Sequence, residues 1–170
     1  MYIRQTLTKV MAGLGALALA GSLGACSLFQ KDDADRDPEG NVTQAGEVNV
    51  FSIKVGDCLD LASFGGASDD TVESMGVVPC GDPHDGEVIK EITLTELDQY
   101  DEYTVQELAS DACYDAMDEI VGGDDWAGLS YTTLYPTSGS WADGDRLVDC
   151  IAAADEPTLT SSVVGLGLNS

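Results

Sequence analysis

Five cysteines, one near the start and four set far apart, constrain this chain more than any other feature. An odd count in an exported protein asks for a separate task for one of them. If Cys26 has that task, Cys58, Cys80, Cys113 and Cys150 remain, and four cysteines in an oxidising compartment fit two disulfides. A zinc site suits them less, because no C-x-x-C pair exists and the ligands would be scattered singly. Four cysteines allow three pairings. Local closure favours Cys58 with Cys80, at the ends of successive strands, and Cys113 with Cys150, stapling a helix to a sheet. Each bridge contributes about 3–4 kcal/mol in the chain-entropy model.

The N-terminus supplies the task for Cys26. Arg4 and Lys9 precede an apolar stretch over residues 10–20, rich in Ala, Leu and Gly. That stretch is short of the roughly 20 residues a membrane-crossing helix takes, and it matches the apolar core of a secretory signal. Leu23-Gly24-Ala25-Cys26 follows and resembles a bacterial lipobox, in which the cysteine is acylated and becomes the new N-terminus. The expectation is a signal peptide over 1–25 and a lipid on Cys26. The lipid would anchor the chain to the outer face of the cell membrane.

Charge narrows the partners. The 170 residues include 31 acidic, seven basic and one histidine, a net of −24. Such a surface repels nucleic acid and anionic headgroups, so the membrane is reached through the lipid alone and nucleic acid is no partner. A hydrophobic content of 44% still allows a packed core. Residues 27–46 carry hardly any apolar side chain and read as an extended acidic tether. Asp33, Asp35 and Asp37 have the alternate spacing of a calcium loop. Pro38 and Gln44 stand where its glycine and bidentate glutamate belong, so the run reads as solvated charge.

From Val48 the pattern is that of one folded domain, over residues 48–164, with a flexible tail over 165–170. Alternation predicts strands over 48–55, 75–79, 87–94, 130–135 and 146–152, with 159–164 as a possible edge strand. Residues 62–70 and 136–144 read as loops, the second carrying Trp141. Residues 104–121 form the clearest helix. Val105, Leu108, Ala109, Ala112, Cys113, Ala116, Met117, Ile120 and Val121 make one apolar face. Thr104 and Glu107 suit a capping box, and Gly122-Gly123 a stop. The fold class is therefore α+β: one amphipathic helix on a mainly antiparallel sheet with two disulfides.

Val55-Gly56-Asp57-Cys58, the run from Val78-Pro79-Cys80 through Pro83-His84-Asp85-Gly86-Glu87-Val88, the helical Cys113, and Trp141-Ala142-Asp143-Gly144-Asp145-Arg146 before Cys150 together resemble a known pattern. It is that of the septum-formation domain family of actinobacterial lipoproteins and membrane-anchored proteins. The resemblance implies a link to division or envelope assembly and brings no chemistry with it.

His84 is the only histidine, and beside Asp85 and Glu87 it is a candidate base or metal ligand. The plainer reading is that Pro83 sets a turn and His84 fixes the loop by a hydrogen bond. No G-x-S-x-G elbow, second zinc-spaced histidine or phosphate loop is present, so no catalytic residue, metal or cofactor is assigned. Trp141, Asp145 and Arg146 form the other constellation. Trp141 offers a stacking surface and Arg146 a grip on a carboxylate. Alternatively, Trp141 lids the core and Arg146 forms an internal salt bridge, expected with a carboxylate of the 83–87 segment. Acidic pairs at Asp69-Asp70, Asp124-Asp125 and Asp143/Asp145 lack a full calcium ligand set. The function these residues point to is a lipid-anchored, non-enzymatic envelope protein that binds an envelope protein or cell-wall component. The alternative is a metal-binding or hydrolytic site centred on His84 and its neighbouring carboxylates.

Overall fold

The computed structural model describes residues 34–63, 71–122 and 126–164. The expected signal peptide, Cys26, the tether up to residue 33, Asp69-Asp70, Asp124-Asp125 and the 165–170 tail lie outside them. The described chain is α+β, with one main helix, mainly antiparallel sheet and two disulfides. Strands β1 (Asp35–Arg36) and β2 (Val42–Gln44) form a small antiparallel pair. Strands β3 (Gly46–Asn49), β4 (Cys58–Asp60), β5 (Ser74–Val78), β6 (Gly86–Thr93), β7 (Ser130–Leu134) and β8 (Leu147–Ala153) form the main sheet. Its order is β3-β5-β4-β6-β8-β7, all neighbours antiparallel.

The expected tether is corrected here, because from Ala34 onward the chain is folded rather than extended. The device is Arg36, whose guanidinium makes a fork onto Asp57, Nη1 to Oδ1 at 2.5 Å and Nη2 to Oδ2 at 2.7 Å. Nη1 also donates to the Gly40 carbonyl. The bidentate contact with Asp57 raises the pKa of Arg36 further. Asp57 is buried and also accepts the Lys54 N–H. Gly56 holds φ at +90°, a left-handed turn that presents Asp57 inward and lets the Gly56 N–H reach the Val88 carbonyl. A charged segment is thus held by a directed ion pair, which hydropathy does not register, together with Ala34 and Val42 packed against the core beneath it.

The strand expected over 48–55 stops at Asn49. The Asn49 side chain accepts the Phe51 N–H and starts a 3-10 turn over Val50–Ser52. Cys58 accordingly opens β4 instead of ending the strand before it. Helix α1 (Glu102–Ile120) starts two residues before the expected Thr104 because Asp101 is the cap. The Asp101 carboxylate accepts both the backbone N–H and the hydroxyl of Thr104, so Thr104 sits inside the first turn. The same bonds hold the Asp101 carboxyl below its usual range. Gly122, at φ +67°, closes the helix with its N–H on the Met117 carbonyl. Leu108, expected inside, is exposed at the edge of the stripe. The loop expected over 136–144 contains a short helix, α2 (Ser138–Ala142), capped reciprocally by Thr137 and Ser140. The possible edge strand over 159–164 is reduced to a single antiparallel bridge between Leu159 and His84.

The two faces of the sheet carry two cores. Helix α1 covers the first, where Val105, Ala109, Cys113, Ala116 and Met117 meet Ile89, Val148, Cys150 and Ala152. Cys113–Cys150 fastens helix to sheet there, as expected. On the other face Ile53, Leu59, Met75, Val77, Val88 and Ile151 form a second core. Cys58–Cys80 closes the neighbouring β4–β5 corner.

Candidate functional site

A groove of about 550 Å³ opens on the second face, beside that core. Its walls come from both edges of the sheet, with Asn49 on β3 and Thr133 and Leu134 on β7, so the sheet curls around it. Its size falls in the range of small-ligand and side-chain pockets. Val50, Ile53, Val72, Leu134 and Leu147 give it apolar lining, and Phe51 at its rim is 66% exposed.

Acids occupy one wall. Along β8 side chains alternate: Val148, Cys150 and Ala152 face α1, while Asp149 and Ile151 face away from it. Asp149 therefore continues an apolar row with a carboxyl group. It is 9% exposed, and its Oδ1 is buried with no hydrogen-bond partner. Glu91 on β6 stands directly across from it, and Asp145 lies at the entry to β8. Burial, then the charges of Glu91 and Asp145, push the Asp149 carboxyl up from 3.8 to about 7. Sequence reading missed Asp149 because alternation marks it only as an outward strand position. The available signal was an acid in a row shared with Ile151.

A β-bulge creates the Glu91–Asp149 pair. The β6–β8 register shifts between Val88 and Lys90. Ile89 and Ile92 both pack in the helix-side core, which strict alternation forbids, and Glu91 is turned to the groove.

The expected site residues separate: Trp141 with Arg146 and His84 with Glu87 lie away from the groove, and Asp145 alone of the five lines it. Trp141 is buried in the helix-side core, tilted against Tyr100 with ring centroids 5.8 Å apart. Arg146 lies over the Trp141 ring, 3.5 Å from its centroid, and donates to the carbonyls of Trp141 and Asp145. The expected salt bridge from Arg146 to the 83–87 segment is corrected: Gly144, at φ +100°, turns the chain so that the guanidinium folds back on Trp141. Asp145 accepts the Leu147 N–H and contributes to the groove rim.

His84 and Glu87 form a buried clasp. The His84 backbone pairs with Leu159 in both directions, and its Nδ1 donates to the Asp82 carbonyl at 2.8 Å. Glu87 is fully buried. Its Oε1 accepts the Ser162 hydroxyl and its Oε2 the Val163 N–H, each at 2.5 Å. Cys58, His84 and Glu87 approach one another as a metal set does, with ligand atoms within 4.8 Å. The donor chemistry does not fit, since the Cys58 sulfur is in its disulfide and both Glu87 oxygens are engaged by the chain's end.

A family model described as septum formation matches residues 23–157, spanning the small hairpin, all four disulfide cysteines and every groove residue named above. The chain belongs to the septum-formation family. No curated protein and no solved structure matches it. In this septum-formation domain the family-like motifs now have physical roles. Gly56-Asp57-Cys58 locks the Arg36 hairpin and one disulfide. His84 and Glu87 hold residues 159–163, and Trp141 with Arg146 seals the helix-side core. Membership associates the protein with septum formation.

Proposed function

We propose that this protein is a lipid-anchored envelope protein whose domain acts by binding a component of septum or cell-wall assembly, without chemistry of its own. The observation that carries this reading is the groove: an open concave surface of about 550 Å³ with mixed apolar and acidic walls. Among the described residues its lining contains neither histidine, cysteine nor lysine, and the Ser140 hydroxyl is taken up in capping α2. The lipobox-like sequence at Cys26 supports presentation of the domain at the outer face of the membrane.

The test is a photo-crosslinking residue in place of Phe51 in the full-length, membrane-borne protein. A crosslinked envelope component, lost when Glu91 and Asp145 are both changed to lysine, supports the reading. Crosslinks that are indifferent to those changes count against it. A second reading has one observation in its favour: a carboxyl titrating near 7 beside Glu91 resembles a general acid–base pair for glycoside cleavage. Release of reducing ends from cell-wall glycan, abolished by Asp149→Asn, would establish that reading instead.

A further inference from the structure

We propose that the groove takes a primary ammonium group on an aliphatic stem, the chemistry of a lysine side chain, with Asp149, Glu91 and Asp145 holding the nitrogen. The assignment rests on the binding reading above and names its ligand. Asp149 is the first observation: a carboxyl group 9% exposed, lining the groove, with a buried Oδ1 that meets no donor. Buried polar atoms ordinarily find a partner, so an orphan facing a cavity marks the place where a donor from outside belongs. Glu91 is the second. Like charges directly opposite in a sheet are unfavourable, and a bulge in β6 is what brings this pair together.

The charge around the pair is of one sign. Glu91 faces Asp149 from β6, Asp145 comes from the turn before β8, and Glu73 from the segment leading into β5 lines the same groove. Among the described residues no lysine or arginine lines it. The three carboxyl groups on one wall come from separate backbone positions. An ammonium is a compact point charge whose three N–H donors are directed apart and can engage each of them, whereas the five donors of a guanidinium are confined to one plane. Val50, Ile53 and Leu134 supply an apolar path for the methylenes of a stem. A bare calcium ion would need six to eight oxygens close around it and would leave that path unused. In the free protein burial and its acidic neighbours raise the Asp149 carboxyl to about 7, so below that pH binding a cation releases a proton.

Full-length protein in detergent micelles, titrated by calorimetry, tests this. The probes are Nα-acetyl-lysine methylamide, its norleucine counterpart lacking the amine, and calcium chloride alone. The lysine probe is expected to bind at pH 8 and at least tenfold more weakly at pH 5. Asp149→Asn and Glu91→Gln are each expected to weaken it at least tenfold. Asp149→Asn puts a neutral side chain of the same shape in place of the buried carboxyl and Glu91 is exposed, so neither change endangers folding. At about pH 6, where the free Asp149 carboxyl is mostly protonated, its carbon resonance should shift to the ionised value on binding. Equal binding of norleucine, preference for calcium, or affinity unchanged at pH 5 would each overturn the assignment. If the Phe51 crosslink forms and depends on the groove while no amine binds, the ammonium assignment fails alone. If neither is seen, the binding reading fails with it.

Discussion

Asp149 on β8 lies directly opposite Glu91 on β6, and no cation of the described chain is bonded to either. The consequence is a carboxyl group that titrates near 7 in the folded protein against 3.8 ordinarily. The folded state keeps its proton over a range where the unfolded chain has lost it. Stability at this site is therefore full below about 4, falls as pH rises towards 7, and is level above. Asp149→Asn should remove that slope and stabilise the protein at pH 8, on the order of 2–4 kcal/mol, with little change at pH 4. Urea denaturation of both proteins at the two pH values checks it, and parallel curves would show that Asp149 is not held protonated.

Arg36→Ala should release the hairpin formed by β1 and β2. Asp57 is 3% exposed and would be left without its cation, which costs about 2–4 kcal/mol for a largely buried pair. Limited proteolysis should cut the variant within residues 34–45 while the rest of the domain resists. A variant as resistant as the parent would mean that apolar contacts, not the ion pair, hold the hairpin.

Glu87→Ala should free the chain's end rather than abolish an activity. Both carboxylate oxygens are used on Ser162 and Val163, so the change leaves the Val163 N–H without its acceptor and costs about 1–3 kcal/mol. Hydrogen exchange should quicken at Val163 and Leu159 ahead of the sheet. Protection lost uniformly over the domain would argue against a local clasp.

Cys113→Ala with Cys150→Ala should cost about 3–4 kcal/mol, since the bridge closes a separation of 37 residues. Loss of the Cys58–Cys80 bridge, separated by 22 residues, should cost slightly less in the same model. Thermal denaturation of each double variant, compared with the parent under oxidising conditions, measures the two contributions.

Cys26→Ser should free the protein from the membrane fraction, because the same residue carries the processing signal and the lipid in the proposed anchoring. Mature-length protein that still sediments with membranes would exclude an anchor at Cys26.

Periodicity alone carried the helix and the inner face of β8. Val105, Ala109, Cys113 and Met117 recur at helical spacing, and Val148, Cys150 and Ala152 at strand spacing, which put Cys113 and Cys150 on inner faces; among the three pairings open to four cysteines, local closure favoured the one the fold shows. Those are local properties, fixed by which residues neighbour which along the chain. The motifs around Cys58, Cys80 and Trp141 identified the family for the same reason. Three features were decided only in three dimensions. Arg36 folds a charged segment onto the domain through a partner 21 residues away, and no hydropathy pattern encodes one directed ion pair. Arg146 chose the ring and carbonyl beside it over distant carboxylates, because the turn at Gly144 fixes its reach. The groove depends on a bulge that rephases β6 by one residue and sets Glu91 against Asp149. A single-residue shift reverses which face every later side chain serves, and only pairing with β8 reveals it.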